Sequence, residues 1–542
     1  MNLSELIKSN SERKYFAVYP ENPKAYDETA QAAGLAAFQA RFNTNYSFID
    51  DNATNFIGEE VSPYLQTGIG VKYAQYDVPT LVHNASAAFN IWKKADLDLR
   101  IKVLSNSLER VKERFFEMAY ATMHTTGQSF LMSFQASGPH ACDRALEVLA
   151  TAYQQMTVYP SNVVWTKNMG KFDLSLNKNF KAIPKGVSLA IGCSTFPTWN
   201  SVPGIYASLI TGNTVIVKPH PKAVYPIAIF IDELKQELKA NGLPTTVIQL
   251  AIDSSDQPLA KVLAENEQVK MIDYTGGNLM GDYIESLNKT CFTEKSGINS
   301  VILESVKAID PVAQNIAFSA SLYSGQMCTA PQNIYVPADG ITTEEGTLSF
   351  EEVKDKIIAS VSGLLLNPKA GAPTLGAIQN DATSKRIEEV KGKYPSQVQL
   401  NDLKIDNAEF ENARIKSVNV LVVDAKDESI YLKEYFGPMI CIVKTESKDQ
   451  SIALAKHSAE KNGAITCLAF CTDAKRMELI EEEMNSVFTP VSFNFTGAAF
   501  VNQHAAWSDL HVSGGNPSGN ASFTNADFIN KRYIWIGNRY ML

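Results

Sequence analysis

Two short segments carry a thiol and a carboxylate of the kinds that can together oxidise an aldehyde. Cys328 stands among small residues in the segment 324–329, and Glu294 precedes it in the segment 292–297. A thiolate attacks a carbonyl carbon, and a carboxylate can activate the water that hydrolyses the resulting thioester. The pair therefore predicts oxidation of an aldehyde to an acid, provided that a bound cofactor accepts the hydride.

The middle third of the chain shows the elements that would position such a pair. Short apolar runs alternate with helix-length segments, and residues 225–240 carry an apolar face at helical spacing before Gly242. Strands alternating with helices predict a doubly wound parallel sheet. Ligands bind beyond the carboxyl ends of such strands, here residues 218–221 and 275–278. No G-x-G-x-x-G occurs in this region, so ordinary turns and a dinucleotide site remain equally open. The four apolar runs are 187–191, 215–217, 247–250 and 271–274.

Composition fits a large enzyme and argues against several other classes of protein. The chain has 542 residues, of which 45% are hydrophobic and 20% charged, enough for two or three domains. A net charge of −9 argues against nucleic acid and anionic membranes as partners. No leader or spanning segment is recognised, which predicts a cytoplasmic location. Seven cysteines without metal-ligand spacing predict reduced thiols and no metal site.

The spacing of apolar residues distinguishes two further stretches of the chain. Leu104, Leu108, Val111, Phe115 and Met118 recur at three and four residues, which predicts one helix. Residues 1–65 show little sustained periodicity and are interpreted as an N-terminal arm.

Taken together, several segments in a fixed order resemble the aldehyde dehydrogenase superfamily over about residues 70 to 540. They are residues 196–197, 212–214 with 218–219, 275–276, Glu294, 325–328 and 434–438. The resemblance implies an α/β fold with two doubly wound parallel-sheet domains, one that binds the cofactor and one catalytic, plus a small β oligomerisation element. The corresponding ranges are 66–160 with 183–293 for the cofactor-binding domain, 294–490 for the catalytic domain, and 161–182 with 525–542 for the oligomerisation element.

The resemblance also assigns roles at the site. Cys328 becomes the nucleophile, and Glu294 the base that favours hydrolysis over transfer of the acyl group to CoA. The cofactor residues it implies are Lys218 at the adenine ribose, Thr275 and Gly276, and Glu434 with Phe436 at the nicotinamide ribose. His220 and Gly277 are added as cofactor-binding candidates because they lie at the same strand ends. An ordinary buried cysteine, a solvated glutamate and a plain β-turn at 436–438 are the alternative interpretations.

Two departures from the family pattern affect the details. Thr195 stands where the family usually has an asparagine that helps to hold the oxyanion, so either Thr195 or Asn200 is expected to donate in its place. Pro221 stands where relatives that select NAD often have a glutamate. Without that carboxylate, Lys218, His220 and Lys222 favour NADP, with NAD as the alternative cofactor; equally, Pro221 could simply start the next helix.

Further segments resemble the PaaN-type phenylacetic acid degradation aldehyde dehydrogenases: residues 19–21, 124–128, 137–141 and 192–200. That subgroup implies the ring-opened CoA semialdehyde of phenylacetate degradation as substrate. A general aliphatic or aromatic aldehyde dehydrogenase, a cysteine hydrolase and an inactive scaffold on the same fold remain alternatives. The resemblance to the family also implies a homodimer or homotetramer. His504, His511 and residues 514–519 are expected in loops and receive no catalytic role.

Overall fold

A five-stranded parallel sheet forms one half of the computed structural model, which describes residues 2–500, 506, 507, 510 and 525–542. Its strands lie in the spatial order Thr290–Glu294, Val269–Thr275, Val187–Ile191, Thr214–Lys218 and Ile248–Leu250. The two central strands are buried along their whole length, as their Val and Ile content requires for a sheet covered on both faces. The chain leaves the central strand Val187–Ile191 first to one side and then to the other, which creates a switch point there.

Helices cover both faces of this sheet through two separate apolar clusters. The cluster on one face joins the sheet to the helices around 78–92 and 260–265, and the other joins it to those around 97–112, 197–210 and 225–240. The helices of this half are Val78–Trp92, Leu97–Lys112, Phe115–Thr126, Phe130–Gln135, Ala141–Met156, Pro197–Ile210, Tyr225–Ala240, Ala260–Glu265 and Asn278–Ser286.

A second sheet of seven strands forms the other half of the molecule. Its strands lie in the spatial order Val398–Leu400, Asn419–Asp424, Met439–Thr445, Pro331–Pro337, Asn299–Leu303, Cys467–Phe470 and Val491–Phe493. Among these described strands, only the edge strand Val398–Leu400 runs antiparallel to its neighbour. Apolar clusters again fill both faces. Its helices are Ile309–Ser321, Phe350–Leu365, Gly371–Leu375, Asp381–Lys393, Glu428–Tyr431, Lys448–Asn462 and Ala474–Asn485. Two doubly wound sheets confirm the predicted α/β fold class.

A separate antiparallel sheet stands beside these two halves. Strand Asp173–Pro184 pairs with Asn162–Asn168 on one side and with Tyr533–Met541 on the other. The C-terminal strand follows the short helix Ala526–Asn530 and runs to Met541. Residue pairs such as Tyr533 with Pro184 therefore join the chain end to the hairpin.

Residues 1–65 contain regular elements that pack against the first half. Helices Leu3–Glu12 and Ala30–Ala40 occur in this segment, and strands Asn45–Tyr46 and Phe56–Ile57 flank Lys72–Ala74 in a small sheet. The side chains of Phe38, Tyr46 and Glu60 are buried. This segment therefore contributes to the core around the helices 115–126 and 225–240.

The single helix predicted from Leu104 to Met118 is wrong in one respect, because the structure divides it into Leu97–Lys112 and Phe115–Thr126. Arg114 lies at the break, where its guanidinium forms ion pairs with Glu117, Asp232 and Glu233 at 2.8 to 3.0 Å. In the described part of the chain, every helix is too short or too polar to cross a membrane. His504, His511 and residues 514–519 lie outside the described residues.

Candidate active site

The loop that carries Cys328 has a strained backbone held by long-range hydrogen bonds. Tyr323 and Ser324 have φ of 51° and 50°, in the left-handed region that non-glycine residues rarely adopt, and Gly325 follows with φ of 66°. The Asn299 side chain donates to the carbonyl of Cys328 at 2.8 Å, and its own oxygen accepts from backbone N–H groups of 465 and 466. The start of strand Asn299–Leu303 therefore fixes the position of Cys328.

Cys328 and Glu294 lie in direct contact. The thiol donates a hydrogen bond to the Glu294 carboxylate, which is itself only 2% exposed. Burial raises the pKa of Cys328 well above its usual value, and the charge and hydrogen bond of Glu294 raise it further. The resting sulfur is therefore a thiol at neutral pH, next to the Glu294 carboxylate.

Three motif segments that are far apart in sequence converge around this pair. The backbone N–H of Gly297, three residues after Glu294, donates to Glu434 Oε1 at 3.2 Å. A Cβ built on Gly325 would lie 2.5 Å from the carbonyl oxygen of Gly437, so only glycine permits this approach. Glu434 therefore contacts the segment that follows Glu294, and Gly437 contacts the segment that precedes Cys328. Burial raises the pKa of Glu434.

Arg144 is a third charged group at this centre, and the sequence reasoning missed it. It lies on helix Ala141–Met156, is 1% exposed, and places its guanidinium carbon 3.4 Å from the centroid of the Trp199 ring. Burial lowers the pKa of Arg144 to about 9, while the negative charges of Glu294, Glu147 and a Cys328 thiolate act in the opposite direction. Its positive charge lowers the pKa of Cys328. One basic residue within a helix gives no local signal of this role.

The two residues expected at the oxyanion have different surroundings. The carbonyl oxygen of Thr195 accepts from the Gln128 side chain at 2.7 Å, and the side chain of Thr195 is buried. The Asn200 amide instead donates to the sulfur of Cys193 at 3.6 Å. The described contacts do not join either side chain to Cys328, so their predicted role stays a prediction.

A large cavity opens onto Cys328. Its volume is about 1420 Å³, and Cys328, Phe196 and Trp199 contribute to its wall. Apolar side chains predominate, among them Met123, Phe130, Leu131, Met132, Phe318, Leu322, Met327, Ile405, Phe410 and Phe500. Charged residues of both signs also line it, namely Lys369, Lys404, Asp406, Glu409 and Glu411. A substrate much larger than a simple aldehyde therefore fits in front of the sulfur.

The turn at 275–277 stands directly beside the reactive carboxylate. Thr275 pairs with Glu294 across adjacent parallel strands, and Gly276 N–H donates to the carbonyl of Glu294 at 3.0 Å. Gly277 precedes helix Asn278–Ser286, and a Cβ built there would meet nothing within 4 Å. Backbone N–H groups at this helix start are accessible to an anionic ligand.

Lys218 and His220 lie at the carboxyl end of strand Thr214–Lys218, on the far side of the switch-point strand from Glu294. The Lys218 ammonium forms an ion pair with Asp253 Oδ2 at 2.8 Å, and both side chains are buried. Burial and the positive charges of Lys218 and Lys222 lower the pKa of His220 to about 4, so His220 is neutral at pH 7. Asp253 is a second residue that the sequence reasoning missed.

Comparison with known proteins identifies the class of this fold and site. The model of the aldehyde dehydrogenase family matches residues 52–506. The chain is 38% identical to an NAD-dependent aldehyde dehydrogenase from Burkholderia multivorans of known crystal structure, and the superposition covers 100% of this chain and 97% of that chain with a TM-score of 0.96. The chain therefore belongs to the aldehyde dehydrogenase family and is an NAD(P)-dependent aldehyde dehydrogenase.

Two curated relatives are more distant. The N-succinylglutamate 5-semialdehyde dehydrogenase of Burkholderia vietnamiensis (strain G4 / LMG 22486) is 25% identical over 396 residues, which cover 72% of this chain and 76% of that protein. The 1-pyrroline-5-carboxylate dehydrogenase of Bacillus subtilis (strain 168) is 22% identical over 387 residues, covering 69% and 70%. The narrower resemblance to the PaaN-type subgroup stays a prediction.

Proposed function

We propose that Cys328 and Glu294 carry the conversion of a bulky aldehyde to its free carboxylic acid. The observation that supports this most directly is the hydrogen bond from the thiol to the carboxylate at the wall of the large cavity. The Cys328 sulfur attacks the carbonyl carbon while its proton passes to Glu294, and the carbonyl oxygen takes the new charge. The product of this step is a thiohemiacetal on Cys328.

A nicotinamide dinucleotide, when bound, would supply the hydride acceptor that oxidation of the thiohemiacetal to a thioester requires. Glu294 releases the thiol proton to solvent and, ionised again, takes a proton from water as the water oxygen attacks the thioester carbonyl. The carbon–sulfur bond breaks, the acid leaves, and the Cys328 thiol is restored. Arg144 stabilises both the thiolate and the carboxylate because its buried guanidinium acts on each.

The residues at the switch point suit a dinucleotide of this kind. Gly276 and Gly277 leave the helix start open to a pyrophosphate, and a Cβ at Gly277 would have free space around it. The hydrogen bond from Gly297 to Glu434 supports a role for Glu434, together with Phe436, in holding the nicotinamide ribose. Lys218 ends the strand on the other side of the switch point from Thr275 and Glu294.

The ring-opened CoA semialdehyde of phenylacetate degradation is the substrate that the subgroup resemblance favours. A cavity of about 1420 Å³ lined mainly by apolar side chains supports an aldehyde with a long or bulky body. The relatives whose names specify semialdehydes of amino-acid derivatives supply the competing substrate class.

Steady-state kinetics decide between these substrates. Reduced cofactor is followed with NAD or NADP in the presence of the CoA semialdehyde, N-succinylglutamate 5-semialdehyde and benzaldehyde. We expect the highest kcat/KM for the CoA semialdehyde and a free acid as product in every case. Absence of cofactor reduction with all aldehydes, or formation of a CoA thioester, would reject the proposal; Cys328→Ala is the inactive control.

Homo-oligomerisation through the antiparallel sheet is part of this proposal. The sheet exposes large apolar side chains that a second copy can cover: Val164 is 63% exposed, Phe172 61%, Ile534 56% and Met541 75%. Light scattering after gel filtration should give a dimer or tetramer, and Val164→Asp should shift it to a smaller species. Lys171→Asp, in the turn of the same hairpin, is the control; a monomeric parent protein contradicts the idea.

A further inference from the structure

The position of Lys218 relative to the reactive pair indicates which half of a dinucleotide it meets. Strand Val187–Ile191 is the switch point, and the strands that end at Thr275 and Glu294 lie on one side of it. The nicotinamide has to reach Cys328 on that side. The adenosine half therefore falls on the other side, at the end of strand Thr214–Lys218.

At that end, the positive charge of Lys218 is already balanced. Asp253 follows strand Ile248–Leu250, and its Oδ2 lies 2.8 Å from Lys218 Nζ while also accepting the Leu259 N–H at 2.9 Å. The Asp253 side chain is 1% exposed. Its second oxygen, Oδ1, is buried and has no hydrogen-bond partner among the described residues.

A second carboxylate strengthens the negative character of the same edge. Glu59, which follows strand Phe56–Ile57 of the small sheet, accepts the backbone N–H of Ser255 at 3.0 Å and its hydroxyl at 2.7 Å. The charge of Glu59 is felt by His220, which burial keeps neutral at pH 7. Of the three groups that favoured NADP, Lys218 is paired and His220 is uncharged, which leaves only Lys222.

We propose that Asp253, through its buried ion pair with Lys218, makes this enzyme prefer NAD over NADP; the inference rests on the proposed function. A 2′-phosphate would add up to two negative charges next to Asp253 and Glu59, where no excess of positive charge compensates them. A ribose 2′-hydroxyl faces no such repulsion, and Lys218 keeps two N–H donors for the ribose oxygens.

Binding of both cofactors tests this without catalysis. Titrations of tryptophan fluorescence with NAD and NADP use the Cys328→Ala protein, which cannot turn over. The parent site should bind NAD at least about tenfold more tightly than NADP, and Asp253→Asn should reduce this ratio by about tenfold because it frees the Lys218 charge. Glu59→Gln, on a half-buried side chain, should reduce the ratio less. Asp256→Asn removes one exposed carboxylate from the same loop and should leave the ratio unchanged.

The outcomes separate this inference from the proposed function. Equal or tighter binding of NADP to the parent site overturns the role of Asp253, even where aldehyde oxidation proceeds. An unchanged ratio in Asp253→Asn also overturns it if thermal unfolding shows that the variant is folded. If Asp253→Asn does not fold, the ratio of NAD to NADP affinity in the parent site and in Glu59→Gln decides. A parent preference for NAD that becomes weaker in Glu59→Gln supports the inference. Any other result rejects it. Failure to bind either cofactor rejects the proposed function together with this inference.

Discussion

Replacement of Glu294 by glutamine should separate the two chemical steps of this enzyme. The amide keeps the size of the side chain and can still accept the Cys328 hydrogen bond, but it cannot take a proton from water. The titratable groups that act on Cys328 are Glu294, Cys193 and Arg144. Burial raises the pKa of Cys193, and Arg144 is a cation, so neither can replace the lost base. Deacylation should therefore slow by about 10²- to 10⁴-fold, or about 3 to 5 kcal/mol in activation free energy.

Acylation should slow less than deacylation. Glutamine cannot take the Cys328 proton either, but removal of the Glu294 charge lowers the pKa of Cys328 and so favours loss of that proton to solvent. Rapid mixing with aldehyde and cofactor should give a burst of one reduced cofactor per active site, followed by a slow phase. Mass spectrometry of the intact protein should then find the acyl adduct, and Glu267→Gln, an exposed substitution, should behave as the parent does. A variant without a burst, or with steady turnover within about threefold of the parent, would refute the assignment of Glu294.

Two further changes test the buried charges of the fold. Arg144→Met should slow alkylation of Cys328 by iodoacetamide by about tenfold, because a cation that lowers the thiol pKa is lost; Arg144→Lys should recover part of the rate, and an unchanged rate contradicts this role. Burial raises the pKa of Glu60 from 4.5 to about 7, so the folded protein holds a proton that the unfolded chain releases between these values, and stability falls as pH rises through this window. Glu60→Gln should remove about 3 kcal/mol of this dependence, seen as a smaller fall in Tm between about pH 5 and about pH 8 than in the parent protein; an equal fall in both proteins is the contrary result.

Local sequence patterns predicted the elements whose faces are strictly periodic. The helix Tyr225–Ala240 and the strand Val187–Ile191 have the same bounds in the structure as in the sequence analysis. Both lie in the first half of the molecule and contribute buried apolar side chains to its core. An element with such an apolar face can bury it in only one orientation. The prediction of one helix from Leu104 to Met118 was wrong because the apolar spacing continues across the break at Arg114. The first helix ends there, where Arg114 forms ion pairs with residues of another helix.

The family motifs identified Cys328, Glu294 and Glu434 as candidate site residues because each motif contains a polar group and a nearby glycine. Their convergence depends on contacts such as Gly297 to Glu434 and Gly325 to Gly437, which only the tertiary structure contains. The roles of Thr195 and Asn200 cannot be read from alignment in the same way, because side-chain direction decides which atom they reach. Asn200 faces the sulfur of Cys193 rather than Cys328 in the described contacts.

Arg144, Asn299 and Asp253 share a property that made them invisible in sequence. Each acts on a residue that another element supplies: Arg144 on Glu294, Asn299 on Cys328, and Asp253 on Lys218. A lone arginine, asparagine or aspartate is the most ordinary of polar residues, and burial beside a partner is what gives it an effect on charge or position. The prediction of NADP counted positive side chains near one strand end, whereas the charge that a ligand meets there also includes Asp253 from the adjacent strand's loop and Glu59 from the segment before residue 65.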